Sequence, residues 1–119
     1  MADDKYTWHR IADAEEVLVR DNELCIITAG PKKICLTRWE GKLYAFSHKC
    51  PHAGGYLADG HLDARGNIVC PVHRYKYSVK NGYNSSGEGY YLSTYPVECR
   101  KEGIYVGFSK SGLWGLFKK

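Results

Sequence analysis

Short hydrophobic runs recur at close spacing along this chain, and none is long enough or spaced correctly for an extended amphipathic helix. Residues 6–11, 24–28, 33–39 and 43–47 read as strands. Gly30-Pro31 and Glu40-Gly41 break the runs as tight turns, so this half predicts an antiparallel meander. Between the first two strands, residues 13–16 predict one short helical turn with Asp13 as its cap. Beyond Asn81-Gly82 the polar segment 84–89 reads as a loop, and strands return at 90–100 and 104–108, joined by residues 101–103.

The middle of the chain has a different character. Residues 48–76 are rich in Gly, Pro, His and Cys and hold one short strand, 67–70. Such a stretch is too irregular for a core layer and predicts loops held by something other than packing. With no internal repeat, the chain is expected to be a single domain. Residues 1–47 and 77–119 form a β base, and 48–76 are inserted in it. The expected class is all-β: an antiparallel sandwich or barrel with a small loop-rich subdomain.

The bulk numbers fit one ordinary domain: 119 residues, 44% hydrophobic and 25% charged, with 13 glycines and 10 tyrosines. The formal charge of +4 is modest, and Lys and Arg are scattered along the sequence rather than gathered in an arm, so no nucleic-acid partner is expected. The N-terminus has no apolar stretch behind a basic start, and no run of 18 apolar residues exists. A cytoplasmic location without a membrane span is the expectation. In a reducing compartment, five cysteines point to metal binding and burial rather than to disulfides.

The chemistry concentrates in two motifs, Cys50-Pro51-His52 and Cys70-Pro71-Val72-His73, with residues 53–69 between them. Soft thiolates and imidazoles at such spacing are metal-ligand spacing. A single zinc ion would accept this set. Zinc fingers, however, usually pair their ligands by type, with two His on a helix. Here each loop offers one Cys and one His, and no helix follows. A two-iron centre suits the arrangement better, with one iron taking both thiolates and the other both imidazoles. The formal charges of two ferric ions, two sulfides and two thiolates cancel, whereas four thiolates would leave a dianion. An electron enters a neutral site more easily, so His ligation places the potential in a window of roughly −150 to +300 mV. The second imidazole nitrogen can carry a proton.

The chain reads CPH-x17-CPVH and resembles the Rieske family, whose signature is C-x-H-x(15–17)-C-x-x-H. The resemblance extends from the early meander to the strands at 95–97 and 104–108. It implies one [2Fe–2S] cluster on Cys50, His52, Cys70 and His73. Rieske proteins of respiratory and photosynthetic membrane complexes add a cysteine to each loop, forming a disulfide; the equivalent positions here are Gly55 and Val72. They also carry a serine two residues after the second His, where this chain has Tyr75, and usually a hydrophobic N-terminal anchor. The resemblance is therefore to the soluble branch, with a potential near the low end of the window. Tyr77 falls where the family often has Tyr or Phe. Its hydroxyl is placed either on a cysteine sulfur or simply in the core.

The remaining candidates have plainer readings. Gly54 and Gly55 allow close backbone approach toward cluster sulfurs, and Pro51 and Pro71 stiffen the loops. His48 and His61 are expected at the surface, and His9 within the first strand. Cys25, Cys35 and Cys99 are expected as buried free thiols, with a Cys25–Cys35 cross-strand bridge disfavoured. The apolar-then-basic tail, 112–119, reads either as a segment folded on the sheet or as a docking patch.

Rieske oxygenases also bind a mononuclear iron through two His and a carboxylate. His9, His48 and His61 do not have the helical spacing for such a site, and no Gly-rich dinucleotide motif is present. The expected role is thus not an enzyme but a ferredoxin, carrying one electron from a reductase to an oxygenase or another terminal acceptor. The alternatives are a small Rieske subunit of a larger oxidoreductase such as nitrite reductase, and a zinc-stabilised binding module.

Overall fold

The computed structural model describes residues 5–12, 22–51, 55–72, 74–87 and 89–109. The expected helical turn at 13–16 and the tail at 112–119 lie outside the described residues. Among the described residues, ten strands form three antiparallel sheets. The first joins β1 (Tyr6–Ala12), β10 (Gly103–Ser109) and β9 (Val97–Arg100), in that order. The second runs β2 (Leu24–Ala29), β3 (Lys32–Trp39), β4 (Lys42–Ser47), β8 (Thr94–Tyr95). The third, β5 (His61–Leu62), β6 (Asn67–Val69) and β7 (Lys76–Ser78), follows a short 3-10 turn at Leu57–Asp59.

The meander forms as its turns dictate. Ala29 pairs with Lys32 across Gly30-Pro31, with Gly30 at φ 56°, the positive angle that this two-residue turn needs at its first central position. Trp39 pairs with Lys42 across Glu40-Gly41, where both residues have positive φ. That double requirement marks the other favoured hairpin turn.

β3 explains the layering. Its central residues Ile34, Cys35 and Leu36 are all buried, because the second sheet is covered on both faces. Ile34 and Leu36, with Leu43 and Ala45 of β4, pack against Ile104 and Val106 of the first sheet. Cys35 and Phe46 point the other way, into a core with Leu57, Leu62, Ile68, Tyr77, Val79 and Leu92. The second core corrects one expectation. The segment 48–76 is not held by its metal motifs alone, because it carries a three-stranded sheet whose side chains reach that core. Its strands are only two or three residues long, too short to show a period. β7 also crosses the expected boundary after Lys76.

The expected strand at 90–100 is split. Thr94–Tyr95 pairs with β4, and the chain then leaves for the first sheet at Pro96, which has no N–H to donate to a ladder. The cysteines are free as expected, but the expected burial needs correction at Cys25 and Cys99. Cys25 pairs with Leu36 and Ile26 with Cys35, so Cys25 and Cys35 lie on opposite faces and cannot bridge. Cys35 is buried, Cys25 half-buried and Cys99 exposed, since β9 is an edge strand.

Candidate metal centre

Both motif cysteines lie in the second core. Cys50 is 2% exposed and Cys70 0%. Each begins a loop closed in the same way. The Cys50 amide donates to the Gly55 carbonyl at 2.7 Å, and the Cys70 amide donates to the Tyr75 carbonyl at 2.9 Å. Below the first closure, Lys49 and Tyr56 pair as a bridge and the Leu57 amide donates to the His48 carbonyl at 2.9 Å. The second loop turns through Arg74, at φ 59°. On both loops the chain goes from a buried cysteine to an exposed neighbour at once: Pro51 on one, Pro71 and Val72 on the other.

The loops touch. A Cβ on Gly55 would come within 2.7 Å of Val72 Cγ2 and 3.6 Å of the Cys70 sulfur. Glycine at 55 therefore permits the approach, although its φ is unremarkable. Burial pushes the Cys70 thiol up to about 11; a hydrogen bond from the Val72 backbone opposes this, and the neighbouring Cys50 adds to it. Two thiols converging in an apolar core are costly as bare thiolates and suit a cationic metal.

Tyr77 does both things expected of it. It is fully buried in the second core, and its hydroxyl lies 3.3 Å from the Cys50 sulfur. A metal-bound thiolate has no proton, so in that state the hydroxyl is the donor. β7 holds Tyr77 opposite Ile68 of β6, two residues before Cys70. The turn between β5 and β6 is fixed by Asp63, whose Oδ1 accepts from the Arg65 and Asn67 amides at 2.9 Å each. Burial alone would raise the Asp63 carboxyl, but those bonds, the Asn67 side chain and Lys76 hold it below the ordinary value.

Residues 7–95 match the model of the Rieske [2Fe–2S] domain. This chain belongs to the Rieske [2Fe–2S] domain family. Its cofactor is one Rieske-type [2Fe–2S] cluster, and the two buried thiols fit that group. The zinc-module reading is set aside with it. Among relatives, the ferredoxin component of an alkene monooxygenase system from Xanthobacter autotrophicus is 26% identical over 87 residues, covering 73% of this chain and 71% of the relative. Human apoptosis-inducing factor 3 is 34% identical over 104 residues, covering 87% of this chain but only 16% of the relative. The ferredoxin of carbazole 1,9a-dioxygenase from Nocardioides aromaticivorans superposes with a TM-score of 0.72 at 22% identity, covering 87% and 99%. That likeness concerns the fold.

Of the four expected ligands, the Rieske fold thus brings Cys50 and Cys70 together; His52 and His73 lie outside the described residues, as does Gly54. His48 is half-buried, its Nδ1 3.0 Å from the Lys33 carbonyl and its ring stacked 6.0 Å from Tyr56. His61 is exposed on β5 and His9 packs beside Phe108, their centroids 5.3 Å apart. Sequence reasoning missed the paired loop closures, which are backbone bonds with no residue signature. It also missed Leu57 and Leu92 as core residues under the loops.

Proposed function

We propose that this chain is a one-electron carrier. It takes an electron from a reductase and passes it to a terminal oxygenase or another acceptor, through a cluster held by Cys50 and Cys70 on one iron and His52 and His73 on the other. The observation that carries this reading is the convergence of two buried thiols on twin loops in a Rieske chain. When bound, the cluster supplies a one-electron couple. The protein's part is to keep water from the thiolates, to hold the Tyr77 hydroxyl against the Cys50 sulfur, and to lead each loop to the surface just beyond its cysteine. The reading as a ferredoxin working with a reductase and an oxygenase draws on the alkene monooxygenase relative. A cytoplasmic location goes with it. No helix among the described residues is long and apolar enough to cross a membrane.

The test is the electron paramagnetic resonance spectrum of the dithionite-reduced protein, with iron and acid-labile sulfide content. Mixed Cys/His ligation is expected, and His52→Ala and Cys70→Ala should each lose the cluster. Cluster absorbance retained in both variants would overturn the ligand assignment. A midpoint well above roughly +100 mV would refute the low-potential expectation. A second reading, a domain or small subunit held within a larger oxidoreductase, is favoured by the human relative, in which the matching stretch is 16% of the length. Size-exclusion of the native protein from its host separates the two, since a free carrier elutes alone.

A further inference from the structure

The net charge of +4 is not spread over the molecule. Residues 41–87 contain six Lys or Arg against two Asp, while the rest of the chain holds eleven of each sign and is neutral. The whole excess therefore lies on β4 and the subdomain that carries the two cysteine loops. Within the loops themselves the bias is complete: no Asp or Glu occurs between Ser47 and Asp59 or between Asp63 and Glu88.

Two of the six cations, Lys49 and Arg74, stand at the loop ends, and Lys33 from the neutral remainder stands beside them. Lys49 precedes Cys50 and is exposed, with its ammonium 5.8 Å from the Tyr56 ring. Arg74 is exposed at the end of the other loop. Lys33 is exposed where β3 begins, its carbonyl against the His48 ring. Between them the surface is apolar: Tyr56 is 49% exposed and Val72 36%. Of the two acids in residues 41–87, Asp63 is engaged with Lys76 at 3.7 Å and by its own turn, and Asp59, exposed in the turn after Tyr56, is outnumbered by Lys33, Lys49 and Arg74. An apolar centre with a mainly basic rim is the layout of a transient protein interface steered by charge.

We propose that the face made by Lys49, Arg74, Lys33, Tyr56 and Val72 is the docking surface for redox partners, and that it selects partners presenting an acidic face around their own redox centre. This rests on the carrier reading above and adds the sign of the partner. A basic rim raises the encounter rate with an anionic surface and lowers it with a cationic one. The effect fades as salt shortens the screening length to about 8 Å near physiological ionic strength.

The test uses small oxidants of opposite charge. The full-length, cluster-loaded protein is reduced and mixed in a stopped-flow instrument with ferricyanide or with hexaamminecobalt(III), across a range of ionic strength. One electron leaves the protein and reduces one metal ion of the oxidant; no bond to the protein forms or breaks. The rate with ferricyanide is expected to fall about tenfold from low to high salt, and the rate with the cobalt complex to rise. K49E/R74E should reverse both slopes, K49Q/R74Q should flatten them, and K101E, in the exposed turn beyond β9 on the far sheet, should leave them nearly unchanged. Equal slopes for the two oxidants, or a K101E effect as large as that of K49E/R74E, overturn the docking face while the carrier reading stands. A protein with no cluster and no transfer to either oxidant overturns both.

Discussion

Tyr77→Phe isolates one hydrogen bond without opening a cavity. The ring stays in the second core and only the hydroxyl, 3.3 Å from the Cys50 sulfur, is lost. With Cys50 bound to iron, that hydroxyl donates to a thiolate whose negative charge deepens on reduction. A neutral hydrogen bond contributes about 1 kcal/mol and a charge-assisted one roughly twice that. The bond should therefore favour the reduced state by about 1 kcal/mol. For a one-electron couple a tenfold change in equilibrium is 59 mV, so about 1 kcal/mol corresponds to a fall of roughly 40 mV in the variant. Film voltammetry at fixed pH measures it, with the spectrum of the reduced protein as a check on ligation. Stability should fall by about 1 kcal/mol as well, because one buried bond is gone. An unchanged or raised midpoint, with the spectrum intact, would show that the hydroxyl only packs.

Two further outcomes follow from the packing of the loops and strands. Gly55→Ala should push Val72 away and destabilise the cluster by about 1–3 kcal/mol, read as faster bleaching in a chelator, and the double variant Gly55→Ala/Val72→Ala should recover most of the loss; failure to recover would refute the contact. In the cluster-loaded protein a maleimide at neutral pH should label Cys99 first. Burial raises the Cys25 thiol, aided by Glu23, and pushes Cys35 up to about 12, so both stay protonated at pH 7 and gain reactivity only as pH climbs toward those raised values; equal labelling of Cys35 and Cys99 at pH 7 would contradict the burial.

Much of the fold was legible because its signals are local. Gly30-Pro31 and Glu40-Gly41 require backbone angles few other pairs adopt, and the strands they join were placed to within a residue. The family resemblance and its cofactor were legible from two spacings in sequence. What escaped depends on contacts between distant residues. β5 and β7 are short and polar at the surface, and they become strands only because Leu62 and Tyr77 reach a core shared with Cys35 and Phe46. Cys99 looked like a buried strand residue because its alternation was read without knowing that β9 ends a sheet. The basic rim was hidden for a similar reason: Lys33, Lys49 and Arg74 are far apart along the chain and share a face only once the loops are folded.

The twin loop closures bear on how such a carrier can work quickly. An electron moves between proteins only as fast as the centre and its surroundings can reorganise, so ligands that need not move are an advantage. Here both loop stems are held by bonds within the protein. Each is shut at its stem by a backbone bond from the cysteine itself, the first is backed by the Lys49–Tyr56 bridge and the second by the Ser85 amide on the Lys76 carbonyl, and both rest on a sheet that is buried on two faces. Bonds from Cys50 and Cys70 amides to carbonyls of their own loops also mean that these N–H groups are already committed and do not point at a sulfur. Two groups among the described residues that can tune the potential are the Tyr77 hydroxyl on Cys50 and the Val72 backbone on Cys70. Because each acts on a different cysteine, the potential should change in small separate steps when either donor is altered.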